Sequence, residues 1–401
     1  MLKKRTVIIG AILLVLATFI VTFIGTSALF IISGNGSLLF GGFRGSSDVK
    51  IGQIISIMKQ YYVEPLEDDL LLEGALRGIV ASVKDPYSRY MNQEEYAEMM
   101  EEHSSQYAGI GVVVSVDPKD NLIKVIAPFE NSPGEKAGIL PGDKIIKVNG
   151  TEVWGDQLNE AVKMMKGPPK TEVILTIIRG RFSKPQNITI VRDMIVLHTV
   201  EHEMLADNIG YIRITHFYED TAKDFNEALD ALYAQDVKGL VIDVRSNPGG
   251  LMQEVVKITD RLVPEGIIVY TEDRNKERRM EYSGEEEIKI PLAILTNGAS
   301  ASASEILSGA VKDHRKGTLV GTKTYGKGVV QSVLPLGDGS GLSLTVSKYY
   351  TPNGISIHGK GIEPDVVVEL PEELQIMSIS QLSQEEDVQL QKAIEIVTKG
   401  F

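Results

Sequence analysis

Apolar and polar positions divide the chain into stretches of different period. Residues 6–43 carry no charge, and residues 6–32 are almost wholly apolar behind Lys3, Lys4 and Arg5. A membrane-crossing helix needs about 20 apolar residues, whereas the apolar part of a cleavable signal has about 7 to 15. The stretch therefore predicts one transmembrane helix, its basic flank cytoplasmic and everything after it outside. The competing reading is a long signal peptide cut near Ser27 or Ala28. Gly34, Gly36, Gly41, Gly42 and Gly45 then give the composition of a flexible tether. Across residues 48–103 the apolar positions take helical spacing, with Ile51, Ile54, Ile55 and Met58 on one stripe and Leu71, Leu72, Ala75, Leu76 and Ile79 on another. Pro65 and Asp85-Pro86 break this region into three pieces. The acidic run Glu94, Glu95, Glu98, Glu101 and Glu102 reads as a solvated helix face.

From about Tyr107 the period shortens. Residues 112–116, 122–126 and 173–179 read as strands, with a helix over 156–166. Residues 188–370 alternate strands with helices: 239–244 leads through a Gly-rich turn into a helix at 252–262, and 291–295 leads into a helix at 302–312. Repeated strand-turn-helix units predict an α/β layered domain. Leu390, Ala393, Ile394 and Val397 share one helical stripe, so the tail is expected to pack on the body or on a second copy.

Composition narrows the function classes. Of 401 residues 43% are apolar, enough to give each of two to four domains a core. With 54 acidic and 41 basic residues the formal charge is −13, which gives no electrostatic footprint for nucleic acid. Cysteine is absent, so disulfides, thiolate metal sites and a cysteine nucleophile are excluded. No metal or organic cofactor is expected.

The segment Ser132-Pro133-Gly134-Glu135-Lys136-Ala137-Gly138-Ile139-Leu140-Pro141-Gly142-Asp143 through Asn149-Gly150 closely resembles the core of a PDZ domain. Such domains add a carboxyl-terminal peptide as a strand to a sheet edge and hold its carboxylate on backbone N–H groups of a glycine loop. Here the loop is Gly109-Ile110-Gly111-Val112, and Ile110, Val112, Val162 and Met165 are candidates for the pocket that takes the last apolar side chain.

Several motif matches fail on context. Gly321-x4-Gly326-Lys327 imitates a phosphate loop, but Gly328 stands where Ser or Thr must bind magnesium, and residues 329–334 are strand-like. His198-Thr199-Val200-Glu201-His202 matches an inverted zinc-protease pattern that works only on a helix, yet its surroundings read as a strand. His314 lies past the end of the helix that begins at Ser302, and His103, His216 and His358 have no triad-like context. What remains is Ser300-Ala301-Ser302-Ala303-Ser304-Glu305, opening a helix whose apolar stripe is Ile306, Leu307, Ala310 and Val311. A serine at a helix start gains from the positive end of the dipole when it attacks a carbonyl, although Ser302-x-x-Glu305 also has the spacing of a plain capping box.

Six blocks together resemble the carboxyl-terminal processing proteases, also called tail-specific proteases, a serine/lysine peptidase family with a PDZ domain. They are Asp85-Pro86-Tyr87-Ser88-Arg89-Tyr90, the PDZ segment, Asp243-Val244-Arg245-Ser246-Asn247-Pro248-Gly249-Gly250, the Ser300 to Glu305 run, and Thr324-Tyr325-Gly326-Lys327-Gly328 with Gln331; Gly361-Ile362-Glu363-Pro364-Asp365 closes the pattern. The resemblance implies an α/β catalytic domain of crotonase-like, spiral type, with Ser302 as nucleophile, Lys327 as general base and Gln331 as the glutamine that orients the lysine. Its oxyanion hole maps to the N–H of Ala303 together with that of Gly249 or Gly250. Asp313 falls where some members carry an acidic residue affecting activity. A general-base lysine must lose its proton near neutral pH, so Lys327 is expected in an apolar pocket that lowers its pKa.

The expected organisation is a cytoplasmic tip and anchor at 1–33, a linker at 34–47, a helical region at 48–103, a PDZ domain at 104–185, a peptidase domain at 186–370 and a helical tail at 371–401. The expected protein is a single-pass, extracytoplasmic endopeptidase that takes the carboxyl-terminal tails of exported or unfolded proteins; its PDZ domain selects those tails and gates the site. The resemblance adds a homodimer through terminal helices. Two alternatives are a non-catalytic PDZ scaffold for exported tails and a CoA-thioester enzyme of the crotonase class.

Overall fold

The computed structural model describes residues 47–180 and 184–399. The expected transmembrane span lies outside them, and among the described residues no helix is long and apolar enough to cross a membrane. The chain divides into one unit ending at Gly78 and a second beginning at Ile79. In the first, helix α1 (Ser47–Tyr61) is followed by helix α2 (Asp68–Ala81), which starts on Asp68 and Asp69 at its positive end. The second unit opens with the turn at Asp85-Pro86, strand β1 (Arg89–Met91) and helix α3 (Gln93–His103). Asn92 caps α3 in a reciprocal box with Glu95.

The β-rich part follows: β2 (Gln106–Gly109), β3 (Val112–Asp117), β4 (Leu122–Pro128), the single turn α4 (Pro133–Lys136), β5 (Lys144–Val148), β6 (Thr151–Glu152), α5 (Leu158–Met165), β7 (Glu172–Ile178) and β8 (Gln186–Val191). Six strands form an antiparallel sheet in the order β3-β4-β5-β7-β8 with β6 on β5, while β2 pairs with β9 (Asp193–Val196) in a separate ribbon. Val173, Leu175 and Ile177 alternate along β7 and point into a core shared with Ile123, Val125 and Ile145.

The α/β part contains β10 (Val200–Met204), β11 (Ile209–Ile214), α6 (Thr221–Tyr233), β12 (Gly239–Asp243), α7 (Met252–Asp260), β13 (Gly266–Asp273), β14 (Arg278–Ser283), β15 (Leu292–Thr296), α8 (Ala303–Asp313), β16 (Thr318–Gly321), β17 (Val329–Pro335), β18 (Gly341–Tyr350) and β19 (Val366–Val367). Short α9 (Glu372–Gln375) and terminal α10 (Val388–Lys399) follow. The main sheet runs β10-β11-β12-β15-β16-β19, parallel except for β10. Strands β12 and β15 are buried at every residue, as parallel strands covered on both faces must be. Leu240, Ile242, Leu292 and Ile294 face helices α6, α7 and α8, whereas Val241, Ala293 and Leu295 face Leu390, Ala393 and Val397 of α10. The tail stripe thus packs on its own body. A second sheet, β1-β18-β13-β14 with β17 on β18, brings β18 and the segment after Pro86 alongside.

The decoy motifs resolve as local geometry: Glu201 and His202 lie on β10, and β17 follows the false phosphate loop. The acidic face of α3 is solvated at Glu94 and Glu98, in line with the expectation, and it also carries ion pairs. Glu94 and Glu98 pair with Lys163 of α5 at 2.8 and 2.9 Å, and Glu101 pairs with Lys166 at the end of that helix. The partner positions are about 65 residues away in sequence, beyond the reach of helix periodicity.

Arg245, fully buried just past β12, is held by Asp243, Asp387 and Gln389. Two carboxylates and an amide oxygen satisfy the guanidinium, which fastens the start of α10 to the loop after β12. Tyr211 donates to Asp243 Oδ2 at 2.8 Å, and burial drives its own phenol far above the usual range. Tyr211→Phe removes one neutral-to-charged hydrogen bond from this network and is expected to cost about 1.5 kcal/mol in urea unfolding, with no change in active-site titration.

Candidate active site

In α/β sheets the groups that act on ligands collect at the carboxyl ends of the parallel strands. Three such ends meet here. After β12 comes Ser246 to Gly250, after β15 comes Asn297 to Ser302, and after β16 comes Thr324 to Lys327. Hydrogen bonds join the first two loops: Asn247 O accepts from Ala301 N–H and from Ser304 Oγ, both at 3.0 Å, and Asn297 Oδ1 accepts from Ser246 N–H at 2.8 Å.

The three serines of the motif have different surroundings. Ser300 Oγ donates to Val244 O at 2.7 Å, and Ser304 Oγ to Asn247 O; both residues are fully buried. Ser302 is only partly buried, and among the described residues its hydroxyl is not bound to a backbone oxygen; its side chain meets the Tyr349 hydroxyl instead. It stands at the N-cap of α8 with φ 54° and ψ −110°, a conformation that L residues adopt at a cost of about 1 to 3 kcal/mol. The capping-box arrangement with Glu305 is present, so the bland reading of the spacing and the chemical one coexist at this turn.

Gly249 has φ +108°, and a Cβ there would lie 2.8 Å from Ser302 Cβ and 3.0 Å from Ala303 N. Only glycine lets the loop come this close. The Gly249 N–H donates to Asn247 Oδ1 at 2.9 Å. Among the described residues no acceptor meets the N–H of Gly250 or of Ala303, the first residue of α8.

Lys327 lies in the loop before β17, half-buried, and burial pushes its amine below the usual lysine range. Its Nζ sits 4.9 Å from the centre of the Tyr87 ring. No hydrogen bond joins Lys327 Nζ to Ser302 Oγ. Gln331 does not meet the lysine either: its Nε2 donates to Thr345 Oγ1 at 3.2 Å. The extended alternation that would align 327 with 331 fails because β17 starts only at Val329 and its register shifts between Val330 and Gln331.

Two residues that the sequence did not single out for this role fix the backbones of Ser302 and Lys327. Glu305 is fully buried; its Oε2 accepts from the N–H of Ser302 and of Lys327, each at 2.9 Å, and its Oε1 accepts from Gly326 N–H at 2.7 Å and Thr324 Oγ1 at 2.6 Å. The Tyr349 hydroxyl, on β18, lies between Ser302 O at 3.0 Å and Lys327 O. The capping spacing was the only sequence signal for Glu305, and Tyr349 had none. Asp313 ends α8 and accepts from Asn353 N–H at 2.8 Å, eleven residues along the helix from Ser302.

In the peptide-binding region, Ile110 O accepts from Gly134 N–H at 2.7 Å and Gly111 O from Phe129 N–H at 2.9 Å. The amides of Ile110 and Gly111 have no acceptor among the described residues. Gly109 belongs to β2 and pairs with Asp193. Ile110 and Met165 are 3% and 4% exposed and belong to the core, whereas Val112 and Val162 are partly exposed beside it. Among the described residues no group of three or more His, Asp or Glu could hold a metal ion.

Comparison with known proteins matches residues 208–368 to Peptidase family S41, residues 125–179 to a PDZ domain, and residues 44–95 to the Activating protease CtpB N-terminal domain. The chain is 41% identical over 329 residues to a carboxy-terminal-processing protease of Bartonella bacilliformis, covering 80% of this chain and 75% of that one. It is 38% identical to the carboxy-terminal processing protease CtpA of Bacillus subtilis, covering 88% and 76%. Among solved structures it resembles a photosystem II D1 C-terminal processing protease at 30% identity and TM-score 0.50, covering 80% and 89%. A putative S41 protease from Bacteroides fragilis, at 19% identity and TM-score 0.55 over 86% and 97%, shares the fold.

Proposed function

The chain belongs to the carboxy-terminal processing proteases of peptidase family S41, serine peptidases with a PDZ domain, and from that membership we propose a specific chemistry for it. Ser302 is the nucleophile and Lys327 the general base of a membrane-anchored, extracytoplasmic endopeptidase that takes protein tails through its PDZ domain. The observation that carries this reading is the turn at Ser302: of the serines at 300, 302 and 304 it alone is partly exposed and has no hydroxyl bond to a backbone oxygen, and Glu305 pins its backbone to that of Lys327.

Ser302 Oγ attacks the peptide carbonyl while Lys327 Nζ, neutral and swung off the Tyr87 ring, takes the hydroxyl proton. The negative oxygen forms between the N–H groups of Ala303 and Gly250; Gly249 is the poorer donor because Asn247 already takes its proton. Lys327 returns the proton to the leaving amine. A water then gives Lys327 a proton as it attacks the acyl group, and Ser302 recovers its hydroxyl as the acid leaves. Burial of the amine supports this role, because a lysine in its ordinary range is almost wholly protonated at neutral pH. The crotonase-like architecture, the anchor at residues 6–32 and a homodimer belong to the same proposal.

The open amides of Ile110 and Gly111 support carboxylate capture, with Val112 and Val162 lining the groove. A peptide ending in a free acid is therefore expected to be cleaved ten- to a hundredfold more efficiently than its amide, the equivalent of about 1.5 to 3 kcal/mol for hydrogen bonds to a charged group. The measurement is kcat/KM for the pair with the full chain, and equal values would remove tail capture. The scaffold alternative is favoured by one observation, the absence of a Ser302 to Lys327 hydrogen bond, and digestion of an unfolded protein decides against it or for it.

A further inference from the structure

Strand β18 has a gap along one edge. β1 pairs with it from Gly341 to Ser343 and β13 from Ser347 to Tyr350, and between them the turn at Asp85 bonds to Thr345. Ser88 Oγ accepts from Thr345 N–H at 3.0 Å and donates to Asp85 Oδ2 at 2.6 Å, while Asp85 Oδ1 accepts from Tyr87 N–H at 3.1 Å. The Thr345 side chain bonds the same carboxylate. Burial raises the Asp85 carboxyl, but the bonds from Ser88, Thr345 and Tyr87 and the nearby His358 ring outweigh it and hold the group below the usual carboxylate range. It is therefore ionised and can only accept. On the opposite edge of β18, Gln331 of β17 stands across from Thr345 in register, and its Nε2 donates to Thr345 Oγ1 at 3.2 Å. Gln331 Oε1 meets no donor among the described residues.

A threonine hydroxyl has one proton. Because the Asp85 carboxylate takes it, Thr345 Oγ1 has only lone pairs left for Gln331, and the amide must offer its NH2. The two ends of an amide point apart, so the carbonyl oxygen is turned the other way. We propose that Asp85, acting through Thr345, fixes which end of the Gln331 amide is presented to Lys327, so that Asp85 and Thr345 are positioning residues for the base. This rests on the reading above, in which Lys327 is the base, and on Gln331 as the glutamine that the resemblance assigns to orient it. An amine carries N–H in either protonation state, and a carbonyl oxygen meets it well where an NH2 opposes it. When Lys327 Nζ leaves its place 4.9 Å from the centre of the Tyr87 ring, the Gln331 oxygen accepts one of its protons and leaves the nitrogen lone pair for Ser302.

The test reads kcat and KM for a free-acid peptide with the full chain, on the alkaline plateau where His358 is neutral. Thr345→Val is expected to lower kcat about tenfold with KM unchanged, and Thr345→Ser to stay within about twofold of wild type. The strand by itself prefers the opposite order, because valine keeps the branched shape that serine loses. In a Gln331→Ala background, itself about tenfold down, Thr345→Val is expected to add nothing, since a residue that acts through the glutamine has no other path. Asp85→Asn should cost about as much as Thr345→Val: its NH2 faces Thr345, whose proton then turns to Gln331 and flips the amide. Gln331→Glu offers oxygen at both ends, so adding it to Asp85→Asn is expected to recover about fivefold of the loss. The added carboxylate raises the lysine's pKa, which is why the plateau is read.

Undiminished kcat in Thr345→Val, a serine variant worse than the valine one, equal losses from Thr345→Val with and without Gln331, or an Asp85→Asn protein that Gln331→Glu does not improve would each overturn the positioning role. Lys327→Ala measured alongside separates the two levels. Full activity there removes the base and this proposal with it, whereas an inactive Lys327→Ala beside an unimpaired Thr345→Val removes the positioning role alone.

Discussion

Ser302→Ala is expected to lower kcat/KM on an unfolded protein by at least about ten-thousandfold while the melting curve stays close to wild type. Lys327→Ala should do the same, and the double variant should be no worse than either alone, because a nucleophile and its base act as one unit. The expectation follows from how the turn is built. Ser300 and Ser304 have hydroxyls bound to backbone oxygens inside the protein, so neither can stand in for Ser302 without breaking its own contact. The amides of Ala303 and Gly250 survive the substitution, and they account for any residual rate over water. Product analysis by mass spectrometry reads the result. Activity within tenfold of wild type in either single variant would remove the serine/lysine assignment while leaving family membership intact.

The sheet and its ends were legible because burial writes itself into sequence. Two parallel strands covered on both faces, residues 239–243 and 292–296, leave uninterrupted apolar runs, and the turns that follow them must hold small residues where two loops approach within contact distance. The glycine cradle and its downstream partner segment were equally local. Contacts between distant segments were not. Strand β1 has three residues and exists only because β18 offers an edge, so nothing in Arg89, Tyr90 and Met91 distinguishes them from the helical region in which they were first read. The glutamates of α3 are solvated as their pattern suggests, but nothing in it names Lys163 and Lys166 as their ion-pair partners. Ile110 and Met165 were read as pocket walls, but apolar side chains next to a glycine loop serve the core equally well, and the core took them. Tyr349 left no trace because its work is done by one hydroxyl between two carbonyl oxygens.

Glu305→Gln is expected to unsettle both stability and rate, and the reason is stoichiometric. A carboxylate offers about four acceptor positions, and here Ser302 N–H, Lys327 N–H, Gly326 N–H and the Thr324 hydroxyl fill all four. No basic side chain pairs with it, and its place three residues into α8 lets the positive end of the helix support the charge. Glutamine has the same shape but must turn an NH2 toward two of these donors, so two hydrogen bonds to a charged group are lost together. That costs about 3 kcal/mol or more in urea unfolding. At a temperature where the variant is still folded, the Ser302 and Lys327 backbones are no longer tied through one group, and displacements near 1 Å at a reacting pair lower turnover about a hundredfold. The loss should fall on kcat with KM little changed, since the PDZ groove does not touch Glu305. A folded Glu305→Gln protein with undiminished kcat would show that the serine and lysine loops hold their geometry without it, and would return this residue to the plain helix cap that its spacing first suggested.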